Sequence, residues 1–352
     1  MDVIAQTSYN STRVRRNKRC HNFQKLGTNA QHLVEKIFLK KISCYIIVII
    51  FCFFVSNSFA QLTYQHLAVQ YDSPWICGKL KLIPVRFKDN GGPQDNFLQG
   101  GLISFEQAFK EGKVSVKETN LPGGSDVSLL EVKNHSKKNI LVHSGEIVAG
   151  GRQDRAFGNT TIIPPGEDEN YLPVFCIEKG RWDGKPRTFR YSGMADASLR
   201  KQIDITKQQN KVWKEIDRQL EEQGMQNKTW DYLDLYRDTF SVDTSCMHFF
   251  KGKMMESDSA YAGFVAITGN RIINCELFGS NDLCISSFDV MLKSYSRSIT
   301  ENDGVPQVSN DKVKIFLDNF LKTEEQQKEY LEKHGRLYTY QNHVIHLVAY
   351  DE

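Results

Sequence analysis

From residue 75 to about 178, apolar and polar positions change places over short distances. The segment Leu80-Lys81-Leu82-Ile83-Pro84-Val85-Arg86-Phe87 alternates in part and 114–119 alternates strictly, while 129–132 and 140–143 are brief apolar runs. A period of two over so few residues predicts strands. Turn chemistry separates them at Asp89-Asn90-Gly91-Gly92-Pro93, Leu121-Pro122-Gly123-Gly124, Asn134-His135-Ser136 and Pro164-Pro165-Gly166. One short helix interrupts: Ser104 is placed to cap it, Phe105, Ala108 and Phe109 form one face, and Gly112 ends it. Short strands about ten residues apart predict a sandwich or open barrel.

After Ser192 the period lengthens. Leu199, Ile203, Val212, Trp213, Ile216 and Leu220 form an interrupted helical stripe over 196–223, stopped by Gly224, and a second helical stretch is expected over 229–237. Apolar runs at 261–268 and 271–277 flank Gly269-Asn270, a two-residue hairpin signal with the usual Asn-Gly order reversed. Helices over 282–296 and 311–328 and a last hairpin, 336–340 with 344–349 across Gln341-Asn342-His343, complete the pattern. The fold class is therefore α+β, β-rich over 75–192 and helical then αβ over 193–352, in one domain spanning 61–352 with no repeat or low-complexity linker.

The start of the chain has a different grammar. Lys40-Lys41 precedes an apolar run, 45–55, followed by Ser56-Asn57-Ser58-Phe59-Ala60. A basic start, an apolar centre and small residues before a cut are the parts of a secretory signal peptide, here 39–60 with cleavage after Ala60. A membrane anchor is the alternative, but the run is shorter than the ~20 residues a spanning helix needs. Residues 1–38, basic and aperiodic, read as an extension upstream of the true start. The expected destination is the periplasm or the exterior.

Removing this leader reverses the charge. The chain has 45 Lys and Arg against 42 Asp and Glu, and residues 1–60 contain 9 and 2 of them, leaving 36 against 40, a net −4. The mature chain lacks the basic surplus of a nucleic-acid binder. Five of the eight cysteines stay with it, Cys77, Cys176, Cys246, Cys275 and Cys284; an odd number in an oxidising compartment leaves at least one thiol free or paired to another chain. No Cys-x-x-Cys pair or zinc spacing occurs, so no metal is indicated. The residues name no cofactor and leave the oligomeric state open.

The densest chemistry lies over 144–182: Ser144-Gly145-Glu146, then Gly150-Gly151-Arg152-Gln153-Asp154-Arg155, then Cys176-Ile177-Glu178-Lys179-Gly180-Arg181-Trp182. Guanidinium forks match carboxylate or phosphate oxygens, and paired glycines let the backbone turn sharply or approach a ligand. The alternative is a turn whose arginines pair with Glu146 and Asp154. Cys176, with one neighbouring cation and no nearby histidine, reads as a buried, inert thiol rather than a nucleophile. His143 reads as a packed histidine, and Glu167-Asp168-Glu169 as a solvated turn.

This run, with Pro165-Gly166 and Val174, resembles the ADP-ribosylglycohydrolase- and rhodanese-phosphatase-associated domain family. Phe278-Gly279-Ser280, Leu292 and Ser294-Tyr295 resemble its second block, in which a strand leads to Phe-Gly-Ser and a helix ends at Ser-Tyr. Asp154 stands where the family tends to have Asn, and Arg152 where it often has Lys. The resemblance implies a fold and a site location rather than a reaction. Two functional expectations follow. In the first, a polar pocket binds an anionic or sugar-like small molecule through Arg152, Gln153, Asp154, Arg155, Arg181 and Trp182 without turnover. In the second, a hydrolase acts on an ADP-ribose-, nucleotide- or sugar-like substrate, with Glu146 as general acid or base and Glu178 as the second catalytic carboxylate. Binding or a structural role is favoured, and convergence of Glu146 with the arginines in one pocket would favour catalysis.

Overall fold

Alternation along single strands puts two apolar faces on one sheet, and that sheet organises the molecule. In the computed structural model, which describes residues 62–88, 98, 100–119, 126–181, 187–225, 229–236, 244–256 and 260–351, seven strands form it. They are β1 (Leu67–Val69), β2 (Trp75–Cys77), β3 (Leu80–Phe87), β13 (Tyr261–Thr268), β14 (Arg271–Phe278), β15 (Gly335–Tyr340) and β16 (His343–Ala349). Their order is β1-β3-β13-β14-β16-β15, with β2 also on β3, and all pairs are antiparallel. The sheet thus joins both ends of the domain: Leu82 of β3 sits opposite Ala266 of β13.

Neighbouring residues of β3 serve opposite faces. Leu82 joins Phe264, Ile273 and Phe278 in packing against Leu283, Phe288, Leu292 and Tyr295 of helix α5 (Asn281–Arg297). Ile83, Val85, Val265 and Leu277 pack on the other face against Val313, Phe316 and Leu317 of α6 (Asn310–Asp318) and Leu331 of α7 (Glu324–His334). Helix α4 (Thr244–Met255) is fastened to β2 by a disulfide between Cys77 and Cys246.

The middle of the chain supplies the second β-structure. β5 (Val114–Glu118), β6 (Leu129–Asn134), β8 (Glu146–Gly151), β9 (Arg155–Phe157), β11 (Gly166–Cys176) and β12 (Arg187–Met194) run in the order β12-β8-β9-β11-β6-β5 and curl into a nearly closed, barrel-like sheet. Val116, Leu130, Val132, Val148, Phe157 and Val174 fill it, with Phe105 from helix α1 (Phe105–Lys110) as a plug. As the sequence predicts, Ser104 caps α1, its side chain accepting from Gln107 N. A three-stranded sheet, β10-β7-β4, lies between the two larger ones, formed by β4 (Leu102–Ser104), β7 (Asn139–Val142) and β10 (Thr161–Ile163), with β4 and β7 parallel.

The predicted hairpins form, and the second turns through Gln341 and Asn342 with φ 48° and 65°, left-handed at both central positions as a type I′ turn requires. Two predicted helices break. The 311–328 stripe divides into α6 and α7 because Phe320 and Leu321 turn into the core and Thr323 caps a new helix, while Gln327 Nε2 satisfies the Phe320 carbonyl. The 196–223 stripe divides into α2 (Ala197–Lys201), a π-helical turn (Gln202–Thr206) and α3 (Gln209–Glu222). The break carries two buried charges, Arg200 and Asp204, inward and leaves Lys207 left-handed at φ 51°. The 229–237 stretch has a 3-10 turn over Tyr232–Tyr236, and α4 has no counterpart in the sequence reading. The leader with its signal-peptide reading, the turns at 89–93 and 121–124, and Trp182 lie outside the described residues. Among the described residues no helix is long and apolar enough to cross a membrane.

Candidate functional site

The Gly150–Asp154 turn joins β8 to β9, and its charges close on one another. Gly150 and Gly151 have φ of 129° and 52°, and a Cβ on Gly150 would lie 2.5 Å from the Thr188 carbonyl oxygen, so side chains are excluded there. The carbonyls this bend exposes are taken by Arg181. Its Nη1 donates to Gly151 O at 3.1 Å and Nη2 to Gly150 O at 3.2 Å, while Nη2 also reaches Asp154 Oδ1 at 2.7 Å and Nε reaches Glu178 Oε2 at 2.6 Å. Asp154 Oδ1 accepts from Gly150 N at 2.8 Å, and Gln153 Nε2 donates to the Glu178 carbonyl at 2.8 Å. A third carboxylate, Glu118, accepts from Arg152 N at 2.8 Å and lies 3.9 Å from Arg155 Nη2. Gln153, Asp154, Arg155 and Glu178 are buried.

Arg152, Gln153, Asp154, Arg155, Glu178 and Arg181 are therefore neighbours, with the Arg181 fork and the carboxylates of Asp154 and Glu178 turned towards each other. Asp154 uses one oxygen to accept both the Arg181 guanidinium and the Gly150 amide, and its charge makes the first of these an ion pair. Nearby, burial pushes Asp231 up to about 6. Glu146 stands apart, at the opposite end of β8. It is 1 % exposed, accepts from His143 N at 2.7 Å and lies beside Tyr191, and burial pushes it up to about 8. Cys176 is also buried, its thiol raised by loss of water.

Two arrangements escaped the sequence reading. One is a buried polar chain between the large sheet and the turn after β9. Arg200 donates Nη1 and Nη2 to the two oxygens of Glu276 at 2.5 and 3.2 Å, Glu276 Oε2 meets His346 Nε2 at 2.5 Å, and His346 Nδ1 lies 3.0 Å from Thr160 Oγ1. Beside it, Asp204 accepts from Ser144 Oγ at 2.5 Å and from the hydroxyls of Tyr338 and Tyr350, each at 2.6 Å. A usable signal existed in Ile203-Asp204-Ile205 and Cys275-Glu276-Leu277, since a lone carboxylate inside an apolar run marks a buried, paired charge.

The other is an open cleft of about 590 Å³ whose walls include Lys79, Asp196, Arg218, Tyr236, Arg271 and Arg297. Asp196 caps α2 and accepts from Tyr232 and Tyr236 hydroxyls at 2.5 and 3.0 Å. The Arg297 guanidinium lies 4.6 Å from the Tyr236 ring centre and donates to Met194 O at 2.5 Å. Arg218 is half exposed beside Glu215 and Glu222. Among the described residues no group of three or more His, Cys, Asp or Glu side chains is arranged to hold a metal ion.

The family model for the ARG and Rhodanese-Phosphatase-superfamily-associated Protein domain matches residues 68–350. No curated protein and no solved structure matches the chain.

Proposed function

Since this chain belongs to the ARG and Rhodanese-Phosphatase-superfamily-associated Protein domain family, we propose that it is an exported binding protein whose anionic or sugar-like small-molecule ligand occupies the cleft between Lys79, Arg218, Tyr236, Arg271 and Arg297. The observation that carries the reading is the cleft itself: Lys79, Arg218, Arg271 and Arg297 with Tyr236, alternating with the carboxylates of Asp196, Glu222 and Glu301, line about 590 Å³, within the range of small-molecule sites. Arg181, Asp154 and Glu178 form a clasp that holds the β8–β9 turn, because Arg181 uses its donors on Gly150, Gly151, Asp154 and Glu178. Glu146 gives little support to hydrolysis, being buried beside Tyr191 and away from the arginines. The Cys77–Cys246 disulfide supports export, since such bonds persist in oxidising compartments.

A thermal-shift screen of ADP-ribose, nucleotides and acidic and neutral sugars tests the binding reading. A ligand at 100 times its Kd adds about 2.7 kcal/mol of stability, and Arg218→Ala, a change at a half-exposed wall residue, should abolish the shift. Equal shifts in wild type and Arg218→Ala would remove the cleft from consideration. Recovery of the mature chain from the cytoplasmic fraction alone would contradict export.

A further inference from the structure

The chain between α5 and α6 runs past the β13–β14 turn, and an ion pair fastens the two together. Arg271, the first residue of β14, donates Nε to Asp303 Oδ1 at 3.2 Å and Nη2 to Asp303 Oδ2 at 2.8 Å. Asp303 Oδ2 also accepts from the Thr300 amide and hydroxyl at 2.7 and 3.1 Å, and Gln307 N donates to the Gly269 carbonyl at 2.8 Å. Arg271 forms part of the wall of the 590 Å³ cleft and also of a second hollow of about 300 Å³, so the two adjoin. The second is at the lower end of the size range of small-molecule sites.

The two hollows differ in chemistry. In the cleft, Arg218 is matched by Glu215 and Glu222, and Arg271 by Asp303. Lys79 and Arg297 are not so matched: Lys79 donates to the Thr300 and Glu301 carbonyls, and Arg297 to those of Met194 and Ser192. Among the described residues neither meets a carboxylate, so both retain charge for an anion. The Asp196 carboxylate is taken up by the Tyr232 and Tyr236 hydroxyls and the first amides of α2, and Glu301 is exposed to water.

The second hollow adds neutral groups. Around the Arg271–Asp303 pair stand Asn270, Asn302 and Gln307, exposed, with side-chain amides that hydrogen-bond to no described residue. Each amide both donates and accepts, as each hydroxyl of a sugar does, and meeting them strips water from no charge. Val305, 62 % exposed, adds an apolar surface for the C–H face of a ring. The cations and the amides also lie along one short stretch, since Arg271 donates to the Ser298 carbonyl and Lys79 to that of Thr300, two residues on.

We propose that the two hollows form one site for an acidic disaccharide, a uronic acid joined to a neutral sugar. The carboxylate lies against Lys79 and Arg297 in the cleft, and the neutral ring reaches past Arg271 to Asn302 and Gln307. This rests on the binding reading above and narrows it to a ligand that is anionic and sugar-like at once.

The test is calorimetric titration of the mature protein with glucuronic acid, with cellobiose, and with a set of aldobiouronic acids that differ in linkage. At least one aldobiouronic acid should bind about 10-fold or more tighter than glucuronic acid, and cellobiose should bind more weakly than either. Two hydrogen bonds of ordinary net strength amount to about that factor, so the Asn302→Ala/Gln307→Ala double variant should bring the disaccharide down to the affinity of glucuronic acid. Neither side chain bonds to the described protein, and melting curves check that the variant folds. Glucuronic acid binding that is lost in Arg218→Ala, with no aldobiouronic acid binding more tightly, overturns the disaccharide and leaves the cleft reading standing. A disaccharide advantage that survives the double variant overturns the second hollow. No binding of any acidic sugar overturns the proposal, while the cleft reading is then decided by the nucleotides and ADP-ribose of the thermal-shift screen.

Discussion

Arg181 and Asp154 meet at 2.7 Å across the β8–β9 turn, and the same guanidinium holds Glu178 at 2.6 Å on its other edge. One side chain thereby neutralises two buried carboxylates and satisfies the carbonyls of Gly150 and Gly151. Arg181→Ala would leave both carboxylates buried and unpaired, so unfolding in urea should show a loss of about 3–5 kcal/mol. Asp154→Asn keeps an acceptor for Gly150 N and Arg181 and should lose less, about 1–2 kcal/mol. Equal losses in the two variants would mean that Arg181 is not the centre of the clasp.

Glu146 predicts an unusual pH dependence. Its carboxyl is raised to about 8 in the folded protein against 4.5 when unfolded, so between these values the folded state binds the extra proton. Its contribution to stability is present below pH 4.5 and is lost as pH climbs to 8. Asp231, raised from 3.8 to about 6, acts in the same direction over a lower window. Glu146→Gln, which keeps shape and neutrality, should flatten the decline in melting temperature between pH 5 and 8 and raise stability at pH 8. Parallel curves for mutant and wild type would rule out Glu146 as the source.

Lys207 has the opposite sign above neutrality. Burial lowers its amine from 10.5 to about 8, so over that interval the unfolded chain binds more protons and stability should rise with pH. Lys207→Met should remove this rise, and should loosen the Gly158–Thr160 turn, speeding amide hydrogen exchange there. Unchanged exchange would show that the lysine does not hold the turn.

The Cys77–Cys246 bond closes a loop of 169 residues between β2 and α4. Reduction or Cys246→Ser should cost about 2–5 kcal/mol. Native mature protein should give no rapid reaction with a thiol reagent, because Cys176, Cys275 and Cys284 are buried, and should react fully after unfolding. Fast labelling of the native protein would place one of these thiols at the surface.

Local patterns carried much of the fold. The runs that became β3, β5, β13 and β14, the Ser104 cap and the turn at Gln341-Asn342 were legible because a strand's alternation, a helix cap and a left-handed turn depend on residues a few positions apart. The two blocks around Gly150-Gly151 and Phe278-Gly279-Ser280 were enough to identify the family, which the match over 68–350 shows.

What the tertiary structure decided is who faces whom. Nothing near Leu82 says that its partner is Ala266, since a two-faced apolar strand can pair with any other of its kind until both faces must be covered. Nor does the density of charge at 150–155 say whether a guanidinium meets a ligand or a carboxylate of its own chain. Arg181 reaches Asp154 because the β8–β9 turn and the end of β11 are brought together by pairing of β9 with β11. Residues 160, 276 and 346 are joined in the same way, across a fold that the order of residues encodes only through its packing.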